Sequence, residues 1–149
     1  MKLQYSIPIC SRLEVPLFFL PAFVLRFRVL NPMMRCTQGS VDAACMAIEN
    51  KWAINLGGGY HHASRDNGGG FCIYPDITFI AHYIRKWYGL RRIMILDLDA
   101  HQGNGHERDA LDDPNIFIID AYNHFIYPGD TLAKAAISCD INVTHHDRD

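Results

Sequence analysis

The sequence predicts an α/β fold, a parallel sheet with flanking helices, and three observations carry that expectation. Residues 93–96 (Ile-Met-Ile-Leu) form an uninterrupted apolar run after Arg92 and before a glycine-rich loop, the pattern of a strand buried in a parallel sheet. Strand-like runs alternate along the chain with stretches of helical periodicity, the order that places helices on the faces of such a sheet. Asp97, Asp99 and His101 follow the apolar run at the carboxyl end of the strand, where open α/β sheets build their sites. The 149 residues suit one domain, and 49% hydrophobic with 11% aromatic residues describe a core-former, not a disordered tail.

Residues 15–25 are strongly apolar but shorter than the roughly 20 residues a membrane helix needs, and Pro16 and Pro21 interrupt them. Despite Lys2 and Arg12, neither a membrane span nor a signal peptide is read there. Residues 40–51 predict a helix with Val41, Ala44, Cys45 and Ile48 on one face. A short apolar strand is expected over 52–56. Residues 76–88 carry Ile77, Ile80, Ala81, Ile84 and Tyr88 as one helical stripe, with Asp76 as N-cap and Gly89 as terminator. A strand over 92–98, a short polar helix at 107–111 and a strand over 115–119, with Asp120 at its end, complete the pattern. His145-His146 reads as a frayed polar tail.

The formal net charge of -2 is well mixed along the chain and gives no nucleic-acid-binding surface. Five cysteines, Cys10, Cys36, Cys45, Cys72 and Cys139, are scattered without a Cys-x-x-Cys pair, which favours free thiols in a reducing compartment. Cys72 is read as a buried, inert thiol.

Chemistry concentrates in two loops. Asp99 and His101, two residues apart on an extended segment, point the same way, so a carboxylate oxygen and an imidazole nitrogen converge as half of a zinc site. Asp97, one step further back, suits an orienting or counter-ion role. Upstream, His61-His62 stands between Gly57-Gly58-Gly59 and Gly68-Gly69-Gly70. Glycine on both flanks lets the backbone turn tightly and approach a ligand. Histidine is the usual general acid or base near neutral pH.

These motifs resemble the zinc-dependent histone deacetylases, most closely their class IV branch. The residues that carry the likeness are Gly57-Gly58-Gly59-Tyr60-His61-His62, Gly68-Gly69-Gly70-Phe71-Cys72, the stretch from Leu96 to Asp109, and Ile126-Tyr127-Pro128-Gly129-Asp130. The match is strongest over 53–128, extends more faintly back to Phe18-Phe19-Leu20-Pro21, and fades over a divergent tail, 141–149. The resemblance implies that 1–149 is a partial deacetylase catalytic domain, a truncated arginase/deacetylase-like α/β fold. It implies zinc as cofactor, with Asp99 and His101 as two of three protein ligands. His61 and His62 would be the tandem histidines that work on the zinc-bound water, Asp97 the partner of His61, and Asn104 the partner of His62. Many relatives carry an aspartate where Asn104 stands, so His62 is expected to be less basic here than in them. Gly70 and Phe71 would line the acyl-lysine tunnel. Asp97, Asp99, His101 and Asp120 fall where relatives hold a structural potassium ion, mostly through backbone carbonyls.

The implied substrate is an acyl-lysine side chain of a histone or another protein, in nucleus or cytoplasm, a chromatin-regulating activity with no direct nucleic-acid or membrane partner. The family's third zinc ligand, an aspartate in a later loop, and its oxyanion-stabilising tyrosine have no counterpart in these 149 residues. The chain alone is therefore expected to be impaired or inactive. Two other readings stay open. Arginase-like manganese hydrolases share the fold and the Asp-Ala-His triplet, but Gly103 stands where their motif carries a further ligand aspartate. A non-catalytic, truncated binding module is the other.

Overall fold

The computed structural model describes residues 20–144. Cys10, residues 15–19 of the apolar segment with Phe18-Phe19, and His145-His146 lie outside them.

The first helix starts well before residue 40. Ala22–Leu25 (α1), a π-helical turn Arg26–Leu30, and Asn31–Asn50 (α2) run on without a break, each junction residue staying in the right-handed helical region. Pro32 accounts for the π turn, because it has no N–H for the carbonyl four residues back and its ring crowds that carbonyl. Pro32 and Gly39 both read as breakers, which is why periodicity alone reaches back only to residue 40. Val29, Leu30 and Met33 pack around Ile73, tying this rod to the second glycine run.

The expected strand over 52–56 does not form. The segment runs as coil, with Trp52, Ile54 and Leu56 exposed, Leu56 completely so. An apolar run becomes a strand only where a neighbour takes its backbone groups, and among the described residues none does. Asn55 ties the segment to α2 instead, its Nδ2 donating to the Cys36 carbonyl at 3.1 Å and to Ser40 Oγ at 2.9 Å.

Asp76–Tyr88 forms α3, and Gly89 closes it at φ 69°. Asp76 is not its N-cap: Pro75 holds that position, and the carboxylate turns away from the helix. Ile93–Asp97 (β1), Ile116–Tyr122 (β2) and Cys139–Asn142 (β3) make a three-stranded parallel sheet in the order β1-β2-β3, with Asp97 opposite Asp120. The polar helix, Asn104–Ala110 (α4), starts three residues before the expected 107 and crosses between β1 and β2. Asp120 lies inside β2, which continues to Tyr122, and a 3-10 turn, Ala133–Ala136, leads into β3.

One face of the sheet holds the core, where Ile118, Asp120 and Tyr122 are almost wholly buried and Ile77 and Ala81 of α3 reach Ile95 and Ile116. The other face is open. Met94, Leu96, Leu98 and Phe117 are each more than half exposed, and every residue of β3 at the sheet edge is exposed. An apolar patch beside an unpaired strand edge favours association with other chains. The chain is therefore expected to self-associate as its concentration rises, and Met94→Lys with Phe117→Lys to shift sedimentation velocity towards monomer. A wild-type chain that stays monomeric at high concentration contradicts this.

Candidate active site

The carboxyl ends of β1 and β2 hold the chemistry. A cavity of about 840 Å³ opens at the opposite ends of the strands, around Arg92, Ile93, Asn115 and Ser138, and no histidine lines it.

Asp97, the last residue of β1, turns its side chain to the covered face. Its Oδ2 lies 2.9 Å from Nδ1 of His61 and 2.9 Å from Nε2 of His106, and its Oδ1 accepts the Asp99 backbone N–H at 3.1 Å. Burial works against its charge, but the donors from His106 and His61 outweigh that and hold the carboxyl well below the usual range. For His61, burial opposes protonation, while the hydrogen bond and charge of Asp97, with Asp99 and Asp120 further out, raise its pKa overall. His62 goes the other way. Its Nδ1 lies 2.8 Å from Oδ1 of Asn104, a neutral acceptor, and burial together with the charges of His61 and His101 lowers its pKa.

Backbone contacts fix both rings. Gly105 N–H donates to the His61 carbonyl at 2.8 Å, docking the first turn of α4 on the histidine loop. Asp76, fully buried, holds the loop from below: one oxygen accepts Ser40 Oγ at 2.6 Å and Gly59 N–H at 2.7 Å, the other Tyr60 N–H at 2.8 Å. The second glycine run passes over the His62 ring. A Cβ on Gly70 would lie 2.2 Å from His62 Cδ2, so only glycine fits. Gly70 and Phe71 are both at positive φ, 48° and 65°, at the tip of a hairpin closed by Gly69 and Cys72. Both central residues of a type I′ turn have this sign of φ. Phe71 stands exposed at the hairpin tip, and Cys72 is buried, its thiol pushed up to about 11 by desolvation.

Asp99 and His101 come together past the strand end. Asp99 Oδ1 accepts the His101 backbone N–H at 2.8 Å and lies 3.0 Å from its Nδ1, and His61 Nε2 is 3.7 Å from the same oxygen. Both side chains are about half exposed, open towards solvent above the buried histidine pair. A carboxylate oxygen and an imidazole nitrogen this close suit neighbouring positions on one zinc ion. Among the described residues no group of three His, Cys, Asp or Glu side chains gathers, so the fit is in kind and placement for two ligands of three. Asp120 is fully buried, its Oδ2 accepting Gly103 N–H at 2.8 Å and its carboxyl facing that of Glu107.

Several contributors carry no site role in the sequence. Asp76 and His106 are two. Tyr127 is a third, its ring packed edge-on against His62 with centroids 5.0 Å apart and against His101 at 6.3 Å. Asp130 is a fourth, accepting from Arg108 Nε at 2.5 Å and from Asn104 Nδ2 at 3.4 Å behind His62. Glu107 is a fifth. It is wholly buried, and desolvation with the neighbouring Asp120 carboxyl raises its pKa. A carboxyl whose folded pKa is raised binds its proton more tightly in the fold, so stability falls as pH climbs above its ordinary 4.5. Glu107→Gln keeps an acceptor for Gln102 and removes the titration. It is expected to raise the thermal midpoint increasingly from pH 5 to 9; parallel pH curves for variant and wild type would refute this.

The histone deacetylase domain model matches residues 22–146. Histone deacetylase 2 of Arabidopsis thaliana is 44% identical over 143 residues, which is 95% of this chain and 37% of that protein. The acetoin utilization protein AcuC of Bacillus subtilis is 38% identical over 95 residues, 61% of this chain and 24% of that protein. A crystal structure of an HDAC homologue complexed with SAHA superposes with a TM-score of 0.61 at 25% identity, covering 72% of this chain and 31% of that one. That neighbour has the arginase/deacetylase fold. The chain thus spans between about a quarter and a little more than a third of the length of these relatives.

Proposed function

The chain belongs to the histone deacetylase domain family, and from that premise we propose that it carries the proton-handling half of a zinc-dependent protein-lysine deacylase of the class IV branch. The observation that carries the reading is the pair of buried histidines, each held through Nδ1 by a different partner beside Asp99 and His101. With Nδ1–H given to Asn104, His62 keeps its Nε2 lone pair free, and its lowered pKa leaves it neutral and able to accept a proton. His62 takes a proton from the attacking water and returns it to the leaving lysine amine. His61, held by Asp97, turns Nε2 to the same volume and steadies the water and the charge that develops on it. Asp99 and His101 would hold zinc, which when bound supplies a Lewis acid for the acyl carbonyl and an acidified water. Phe71 and Gly70 wall the approach of the acyl-lysine chain, and Asp97, Asp99, His101 and Asp120 would surround a structural potassium. Asn104 and the run from Leu96 to Asp109 support the class IV assignment.

Turnover of acetylated and fatty-acylated lysine peptides tests the proposal. The described residues bring Asp99 and His101 together without a third such donor, and the 149 residues alone are expected to show none above background. Lengthened by the downstream segment of a class IV relative, the chain is expected to turn over and to be inhibited by a zinc-chelating hydroxamate. A lengthened chain that folds, binds zinc and stays inert sinks the proposal, and hydroxamate-sensitive turnover by the 149 residues alone overturns the two-donor argument.

A further inference from the structure

We propose that His106 is a positioning residue for the site: by donating Nε2–H to Asp97 it fixes the carboxylate that sets the orientation and tautomer of His61. The inference rests on the reading of Asp97 and His61 given above.

The geometry is built for this contact. His106 lies in the first turn of α4, with its side chain only 1% exposed. Its Nε2 is 2.9 Å from Asp97 Oδ2, the same oxygen that His61 Nδ1 approaches at 2.9 Å. The other ring nitrogen, Nδ1, is buried without a hydrogen-bond partner. A polar ring buried for a single hydrogen bond costs stability that an apolar side chain would not, so the contact with Asp97 is what the imidazole adds. Gly103 makes room for it. A Cβ there would lie 2.1 Å from His106 Nε2 and 2.4 Å from Asp97 Oδ2, inside the contact itself.

With both imidazoles on one oxygen, Asp97 cannot swing towards the half-exposed Asp99–His101 pair, and His61 meets a fixed acceptor. An acceptor held at Nδ1 selects the tautomer that leaves Nε2 unprotonated. Removing His106 leaves Oδ2 held by His61 alone, with Oδ1 still on the Asp99 N–H, and His61 then samples both tautomers.

Histidine-ring ¹⁵N spectra of the dilute chain at one fixed neutral pH report the tautomer directly. In the wild type, His61 is expected to carry its proton on Nδ1. Glutamine places an amide N–H where Nε2 of histidine stood, whereas asparagine is too short and leucine has no donor. His106→Gln is therefore expected to keep the His61 tautomer, and His106→Leu and His106→Asn to lose its dominance in chains that still melt cooperatively. A His61 signal unchanged in His106→Leu overturns the inference, and so does a His106→Gln chain that behaves like the leucine variant. A wild-type His61 without its proton on Nδ1 instead overturns the Asp97 reading of the site itself, so the two failures are distinguishable.

Discussion

Asp76→Ala is expected to be the most destabilising single change in the chain. The carboxylate is fully buried and accepts from Ser40 Oγ, Gly59 N–H and Tyr60 N–H, at 2.6, 2.7 and 2.8 Å. Alanine leaves the Gly59 and Tyr60 N–H groups without their acceptor, while Ser40 Oγ keeps the Cys36 carbonyl at 3.2 Å. A buried donor without a partner costs about 1–3 kcal/mol, so relaxation that recovers part of the loss still leaves about 3 kcal/mol. For a chain of this size that is roughly 10 °C in thermal midpoint. Asp76→Asn should fare little better, because its NH₂ group opposes donors already in place. The loss should also be local. Amide hydrogen exchange at Gly59 and Tyr60 is expected to rise more than at β2, and the loop carrying His61 and His62 to loosen first. Equal exchange at these amides in variant and wild type would show that Asp76 does not anchor the loop.

How much of this was legible follows from how far each residue sits from its partner. The placement of Asp97, Asp99 and His101 at a strand end could be read because strand, carboxylates and glycine loop adjoin in sequence. Helix α3 could be read to the residue, because its stripe, its acidic first turn and Gly89 all lie in one window. Asp76 and His106 could not be placed by that means. Asp76 bonds Ser40 across 36 residues and Gly59 across 17, and a helix-starting aspartate looks like a cap whatever it does. His106 sits nine residues after Asp97 on another element, and only the fold brings the two together. The run at 52–56 failed for the converse reason: its apolar pattern is real, but strand formation is a property of a pair. The same logic hid β3, four exposed residues that become a strand only beside Ile119–Tyr122.

His62→Ala and Asp99→Ala, made in the lengthened chain, are expected to have the largest effects on turnover, and to differ in kind. His62 is the proposed proton carrier, so its loss should lower kcat by about a hundred- to ten-thousand-fold, with KM for the acyl peptide little changed. Zinc affinity should persist, since its ring is bonded to Asn104 and does not join the Asp99–His101 pair. Asp99→Ala removes the only charged donor of that pair and should abolish zinc binding in calorimetry together with activity. The pH profile separates the two further. A base must be unprotonated to act, so kcat/KM should rise with pH through the His62 pKa, which burial and the facing His61 and His101 lower from 6.5. His62→Ala should flatten that rise in whatever activity remains, whereas a partial metal-site variant should keep it. If His62→Ala loses zinc as completely as Asp99→Ala does, the division between proton carrier and metal ligand fails, and His62 belongs to the metal site instead.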